Sequence, residues 1–456
     1  MELTRAWVSE VTDGSSAGPA TIEPVGIGVG FDSRTLRSGE VFAALRDVRD
    51  GHEYVAAAHE RGAAFSIVDR PVAGYPVVEV ADVREALRRL GNAARDQMTG
   101  RVVGITGSVG KTSTKDFTAA ALGAALVTHA APASFNNDIG VPVTLLGAPN
   151  DVDVVVVEMG ARFAGNIADL CAIARPDIGV ITNMGITHAE HLGGPGGVAA
   201  VKGELLEALP PDGVAVLSAD CVTSLTHRER TLARVITVGT EATADVAVED
   251  VVVDAELRVR FRLRTPWGSG PVALAARGAH QAINAAQAAT VALVAGVGFD
   301  PVVAALASAE VTGWRMRLEQ SPSGVVVLND SYNASPVAME AAVEALAAFP
   351  VSGRHIGVLG EMRELGEWSD EQHAAVGRVC ARTHLDVLIA VGPAAAPLAD
   401  AATAGGVTVH RVADAAEARE LVCDLAGPGD AVLVKASRAL GLEVVVAALV
   451  GTEAVA

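Results

Sequence analysis

Residues 102–116 read VVGITGSVGKTSTKD: an apolar run, a glycine-rich turn, then Gly110-Lys111-Thr112 opening a segment that can be helical. Backbone N–H groups at a helix N-terminus face an anion, glycines let the backbone come close, and a lysine neutralises outer phosphates. The spacing is G-x-x-G-K-T from Gly107, shorter than the common G-x-x-x-x-G-K-[ST], but it still follows a strand pattern and still ends in Gly-Lys-Thr. The competing reading is a glycine-rich strand–helix turn with a surface lysine. The pattern predicts binding of ATP or a close relative. Gly107, Ser108, Gly110, Lys111, Thr112 and Ser113 would surround the phosphates, and the Thr112 hydroxyl would sit where Mg²⁺ is held.

Other polar residues follow apolar runs. Glu158 closes VDVVVVEM, a strand's carboxyl end, where a carboxylate can hold nucleotide-borne Mg²⁺ or simply be a solvated acid. In ITNMGITHAEHLGG, Asn183 and His188 come just past DIGVIT; a lone histidine is more often structural than a ligand. Lys202 opens KGELLEALP and, read alone, looks like an ordinary exposed helix lysine. NNDIGVP at 136–142 reads as a polar turn that presents Asn136 and Asn137.

These residues need elements to hold them. A chain of 456 residues predicts three domains at about 150 residues each. Residues 1–99 alternate apolar runs with helical spacing, and Val83, Leu87, Leu90 and Ala94 mark an amphipathic helix leading onward. From 100 to 312, VVGIT, VDVVVVEM, DIGVIT, GVAVLS and ARVITVG are continuous apolar runs, which suit parallel strands buried on both faces. Within that span, 246–263 predicts a strand pair added at one side as antiparallel strands, and 279–295 an Ala-rich helix. From 313 to 456, VVVLND, HIGVLG, DVLIAVG and DAVLVK alternate with helical stretches at 336–349 and 369–383, the pattern of a doubly wound sheet. Ligands of such sheets bind beyond the strands' carboxyl ends, where Asn329-Asp330, Gly360-Glu361 and Lys435-Ala436-Ser437 lie.

Composition narrows the partners. A net charge of −19 argues against nucleic acid, whose phosphates would be repelled. The four cysteines form no C-x-x-C pair and read as buried apolar residues in a reducing compartment. No secretory signal and no apolar run of membrane-spanning length are visible, so a cytoplasmic protein without membrane insertion is expected.

The order TGSVGKTSTKD, SFNNDIGVP, EMG, TNMGITHAEHLGG with AAVKGELL, then GAHQAIN, resembles the Mur ligase family, which forms amide bonds of bacterial cell-wall precursors with ATP. The resemblance covers all three domains. It implies an α/β chain with a small N-terminal UDP-substrate-binding domain (1–99), a central P-loop ATPase-like parallel sheet with added antiparallel strands (100–312), and a C-terminal Rossmann-like, dipeptide-binding domain (313–456). It further implies that Lys111 and Thr112 hold phosphates and one Mg²⁺ of two. Glu158, His188 and Lys202 would complete the catalytic and metal-binding set, with Lys202 carried as a carbamate. Asn136, Asn137, Asn284, Arg315 and Asp330 join the expected ATP-binding residues. GAHQAIN departs from G-x-H-N-x-x-N at Gln281.

The run Asp330-Ser331-Tyr332-Asn333-Ala334-Ser335-Pro336 is similar to the D-S-Y-N-A-N-P of the branch that adds D-alanyl-D-alanine, with Asn329 and Ser335 as departures. GEMRELG and VLVKASRALGLE resemble that branch too, and the D-Y-A-H-type stretch of the sister ligase that adds the third residue is not found. This implies Tyr332, Asn333, Lys435 and Ser437 at the dipeptide, and Ser33, Arg34 and His52 of FDSRTLRSGEVFAALRDVRDGHEYV at the UDP portion. The implied reaction joins D-alanyl-D-alanine to UDP-N-acetylmuramoyl-tripeptide through an acyl phosphate, in a monomer acting on small molecules. The nearest alternatives are another ligase of this architecture, folylpolyglutamate synthase included, and a nucleotide-regulated binding protein that has lost activity.

Overall fold

The structure, a computed structural model, describes residues 1–19, 23–187 and 189–452. Its strands fall into four sheets, none of which crosses 99/100 or 312/313.

In the first span, strands Ser15–Ala17, Val77–Glu79, Ser66–Val68, Val41–Ala43 and Val29–Gly30 lie side by side in that order. A separate antiparallel pair joins Glu2–Thr4 to Val25–Ile27. The helix Val83–Gln97 starts where Asp82 accepts the backbone N–H of Glu85 at 2.7 Å, which satisfies one of the free donors of the first turn. Its buried stripe contains the four residues expected from spacing, together with Ala86 and Gly91. That stripe merges the first domain's core with one face of the central sheet.

The central sheet has nine strands. Arg101–Thr106 lies between Val154–Glu158 and Ile178–Ile181, all parallel, and Val214–Ser218 and Arg234–Gly239 extend it. Both faces are buried, which is why these strands are continuously apolar: Val155 and Val157 face one helical layer, Val154 and Val156 the other. Beyond them Val246–Val253 pairs parallel with Arg234–Gly239, and Arg258–Thr265 and Gly268–Arg277 follow antiparallel. The sequence reading of a strand pair here misses the third strand. Gly268–Arg277 is rich in Gly, Ala and Pro, and it is an edge strand, where proline and small residues are tolerated.

The last sheet has six strands, with Val326–Asn329 and His355–Gly360 flanking Ala431–Lys435. Helices cover both of its faces: Pro336–Ala348 and Ser369–Arg382 on one, Ala415–Leu425 and Glu443–Val450 on the other. This is the doubly wound arrangement expected. The carboxyl ends of central and C-terminal strands open into one shared cleft. Among the described residues no helix is long and apolar enough to cross a membrane.

Gly91 lets the helix Val83–Gln97 approach its neighbours closely. A Cβ there would lie 2.9 Å from Pro142 Cβ and 3.2 Å from Ile173 Cγ2. Gly91→Ala should therefore fail to gain the helix-propensity benefit of about 1 kcal/mol. Gly91→Val should lose about 2 kcal/mol through overpacking. Urea unfolding of the two variants beside wild type checks both.

Candidate active site between the two larger sheets

The loop 107–110 joins the strand Arg101–Thr106 to the helix Lys111–Gly123. Its shape is held from the next strand's end. Thr182 Oγ1 donates to the Val109 carbonyl at 2.6 Å, Asn183 Oδ1 accepts the Val109 N–H at 3.1 Å, and Ser108 Oγ donates to the Gly185 carbonyl at 2.7 Å. Gly110 has φ of 83°, and a Cβ there would lie 2.6 Å from Asn284 Oδ1. Asn284 is oriented in turn by Gln281, whose Oε1 accepts from Asn284 Nδ2 at 2.9 Å. The departure from the family motif thus has a local function: the longer, buried glutamine arm fixes the amide that lies against the loop.

Lys111 Nζ donates to the Gly107 carbonyl at 2.8 Å, folded back into its own loop. Burial pulls its pKa below the ordinary lysine value; Glu158 opposes that pull and Arg315 adds to it. The Thr112 hydroxyl donates to Glu158 Oε2 at 2.7 Å. Its oxygen also meets Ser134 Oγ at 2.8 Å and Arg315 Nη2 at 2.9 Å. Asn136 Nδ2 donates to Glu158 Oε1 at 2.8 Å, so both oxygens of a carboxylate only 1% exposed are hydrogen-bonded. Nothing in SFNND sets Ser134 apart from its neighbours, so its place here has no local sequence signal.

Lys202 is 2% exposed, which overturns its appearance as a surface helix lysine. Burial, with nearby Lys111 contributing, lowers its pKa to about 7. A buried amine close to neutrality is an unusual ground state for lysine. His188 lies outside the described residues. Among those described, no group of three or more His, Cys, Asp or Glu side chains converges as a metal site.

The cleft has a volume of about 1280 Å³, larger than a typical single-ligand pocket of roughly 300–1,000 Å³. Lys111, Thr112, Ser113, Asn136, Glu158, Lys202, Asn284, Arg315, Asp330, Tyr332, Asn333, Lys435 and Ser437 all line it. Residues expected at the nucleotide and at the dipeptide are joined rather than separated. Arg315 stacks over the Tyr332 ring at 4.4 Å, and Lys435 Nζ is 2.6 Å from Asp330 Oδ2. Lys435 also donates to the Asn333 carbonyl at 2.8 Å, and Ser437 Oγ accepts the Arg363 N–H at 2.9 Å. Asn137 borders the cleft, but its Oδ1 accepts the Gly140 N–H at 2.8 Å and so braces the next helix.

Ser33, Arg34 and His52 lie apart on the first domain. Ser33 is buried, and Arg34, with a side chain 74% exposed, is tied to Asp32 at 2.8 Å. His52 is enclosed: Nε2 accepts the Asp69 N–H at 3.1 Å, which leaves Nδ1–H to donate to Asp50 at 2.7 Å. Both ring nitrogens are therefore used within the protein. Any effect of His52 on a ligand passes through Asp50 and Asp69. Phe31 and Phe135, with centroids 5.3 Å apart, set this region beside the 134–138 loop.

Comparison with known proteins agrees with this geometry. The Mur ligase middle domain matches residues 105–292, and the Mur ligase glutamate ligase domain matches residues 314–438. The chain belongs to the Mur ligase family. It is 37% identical to the UDP-N-acetylmuramoyl-tripeptide–D-alanyl-D-alanine ligase of Mycobacterium tuberculosis, over 99% of this chain and 98% of that one. The MurF crystal structure from Acinetobacter baumannii superposes with a TM-score of 0.84 at 30% identity, covering 99% of each chain. MurF ligase from Thermotoga maritima, solved in complex with ADP, matches with a TM-score of 0.77 at 28% identity, covering 93% of this chain and 97% of that one. For this Mur ligase, Gly110→Ala should weaken the binding of a non-hydrolysable ATP analogue about tenfold or more. The added Cβ imposes roughly 1–3 kcal/mol of left-handed strain and displaces Asn284. Titration calorimetry beside a thermal melt separates lost binding from lost folding.

Proposed function

We propose that this chain joins the amine of D-alanyl-D-alanine to the terminal carboxylate of UDP-N-acetylmuramoyl-tripeptide, converting ATP to ADP and phosphate in peptidoglycan synthesis. The observation that carries this reading is one cleft receiving Lys111, Thr112, Glu158 and Lys202 from the central domain and Arg315, Asp330 and Lys435 from the chain beyond it. Whole-length likeness to ligases of that name supports the choice of substrates.

A carboxylate resists amine attack because it is anionic and its oxygen is a poor leaving group. In the first step a tripeptide carboxylate oxygen bonds to the γ-phosphorus of ATP, and the bond from that phosphorus to the β–γ bridging oxygen breaks. ADP leaves and an acyl phosphate remains. In the second step the neutral dipeptide amine attacks the acyl carbon, phosphate departs, and the amine loses a proton to solvent. Lys111 swings from the Gly107 carbonyl to the β/γ-phosphates, and Arg315 meets the outer phosphate from the other side. Such charge stabilisation is the main protein contribution to phosphoryl transfer. Asp330 and Lys435 offer opposite charges to a zwitterionic dipeptide, beside Tyr332 and Asn333. The Asp32–Arg34 turn, Ser33 and the His52 cluster hold the UDP end.

The donors fit Mg²⁺, a hard cation that prefers oxygen. Thr112 Oγ1 and Glu158 Oε2 converge within 2.7 Å. When bound, two such ions would neutralise phosphate oxygens. Lys202 supplies an anionic oxygen once its neutral amine adds CO₂, giving a carbamate and releasing a proton. His188 stands in the same set by its place in the motif.

The test is product mass after incubation with ATP, UDP-muramoyl-tripeptide and either D-alanyl-D-alanine or L-glutamate. Pentapeptide product with the dipeptide alone is expected; product with glutamate, or none, overturns the reading. Lys202→Ala should be nearly inactive and partly restored by millimolar formate or acetate. Lys202→Arg should fail as well. Full activity of the arginine variant would mean that only positive charge is needed there.

A further inference from the structure

Lys115 and Asp116, just past the phosphate loop, are unexplained by the reaction. The Lys115 side chain is 2% exposed and that of Asp116 9%, and Nζ lies 2.9 Å from Asp116 Oδ1. Lys115 also donates to the Ala131 carbonyl, at the start of the loop that delivers Ser134 and Asn136. The second oxygen of Asp116 accepts the backbone N–H of Thr312 at 2.7 Å, across 196 residues of sequence. Thr312 begins the crossing between domains. Val311 packs on the central core, Met316 is buried in the C-terminal core, and Gly313 between them has φ of +84°.

We infer that Asp116, oriented by Lys115, is a positioning residue that ties the domain linker to the phosphate-loop helix and so sets Arg315 against Thr112. The chain of contacts is continuous. Asp116 fixes Thr312, and three residues later Arg315 donates to Thr112 Oγ1 and, at 3.3 Å, to Ser134 Oγ. Arg315 Nη1 returns to the Thr312 carbonyl at 2.8 Å, so one short segment carries both the anchor and the guanidinium. Through the Ala131 carbonyl the same lysine places the hydroxyl that shares Arg315. A burial this deep for a lysine–aspartate pair is costly unless both charges are used. Here Lys115 joins Asp116 to the 131–137 loop, while Asp116 joins Lys115 to the linker. Neither side chain needs to touch a substrate.

The inference rests on the reading that Arg315 meets the nucleotide's outer phosphates. Its test is a double-mutant cycle on the full chain with Asp116→Ala, Arg315→Ala and both together. Asp116→Ala should lower kcat about tenfold or more, the size expected when a charged group is misplaced by around an ångström. KM for the UDP substrate should stay within about twofold, because the first domain does not depend on the linker contact. In the Arg315→Ala background, removing Asp116 should cost less than about twofold further. Equal losses from Asp116→Ala with and without Arg315 would overturn the inference. If Asp116→Ala does not fold, the cycle is run with Asp116→Leu, which has similar volume and no acceptor for the Thr312 N–H, and additivity there overturns it equally. The cycle is also read on the affinity for a non-hydrolysable ATP analogue, which needs no turnover. Wild type that binds the analogue but makes no product would remove the ligase reading, while coupling or additivity in affinity would still decide the role of Asp116.

Discussion

The site is organised around a buried carboxylate. Glu158 stands at the end of an apolar strand at 1% exposure, where an unpaired charge would be expelled or neutralised. It is kept by two donors from different elements: the Thr112 hydroxyl on the phosphate-loop helix and the Asn136 amide on the following loop. That requirement locks the registers of three pieces of chain. The parallel pairing of Val154–Glu158 with Arg101–Thr106 puts Glu158 opposite Ile105, one residue before the last of its strand, and thus beside the loop. The alignment is held by pairing to Arg101–Thr106 on one side and Thr128–Ala130 on the other, with apolar packing on both faces.

A second constraint follows from joining two sheets by a short linker. Each sheet offers its carboxyl ends, and the linker brings the two sets of ends face to face. The Arg315–Tyr332 stack and the Asp330–Lys435 pair then make the expected nucleotide and dipeptide residues neighbours. An acyl phosphate of the kind proposed above would not need to move between separate sites in such a cleft. The −19 net charge is no obstacle, because Lys111, Arg315 and Lys435 bring positive side chains into the cleft.

Much of this was legible in the sequence wherever the signal is local. The phosphate loop, the strand ends and the stripe of Val83–Gln97 each depend on residues near in sequence, and periodicity or a motif captures them. What was hidden depends on contacts distant in sequence. Lys202 looked exposed because its own helix has a weak polar pattern; its burial comes from other elements closing over it. Ser134 acquires its role only when Thr112 and Arg315 arrive from 22 and 181 residues away. The enclosure of the His52 imidazole between Asp50 and Asp69 likewise has no signal in the sequence around it. The edge strand Gly268–Arg277 escaped because its small residues lack the alternation that betrays a half-buried strand.

The hydrogen-bond valence of Thr112 joins the phosphate-loop helix, the 131–137 loop and the domain linker. A hydroxyl has one proton and two lone pairs. The proton goes to Glu158, so Ser134 must donate its own, and Arg315 occupies the remaining acceptor position. The oxygen is saturated. A cation that engages the Thr112 oxygen therefore replaces Ser134 or Arg315 rather than adding to them, whereas a phosphate oxygen, an acceptor, competes with Glu158 for the hydroxyl proton. Ser134 sits on a loop whose start is held by Lys115, whereas Arg315 sits on the linker and is held by the Thr312 carbonyl and the Tyr332 ring. Three separate stretches of chain thus meet at one hydroxyl with no valence to spare.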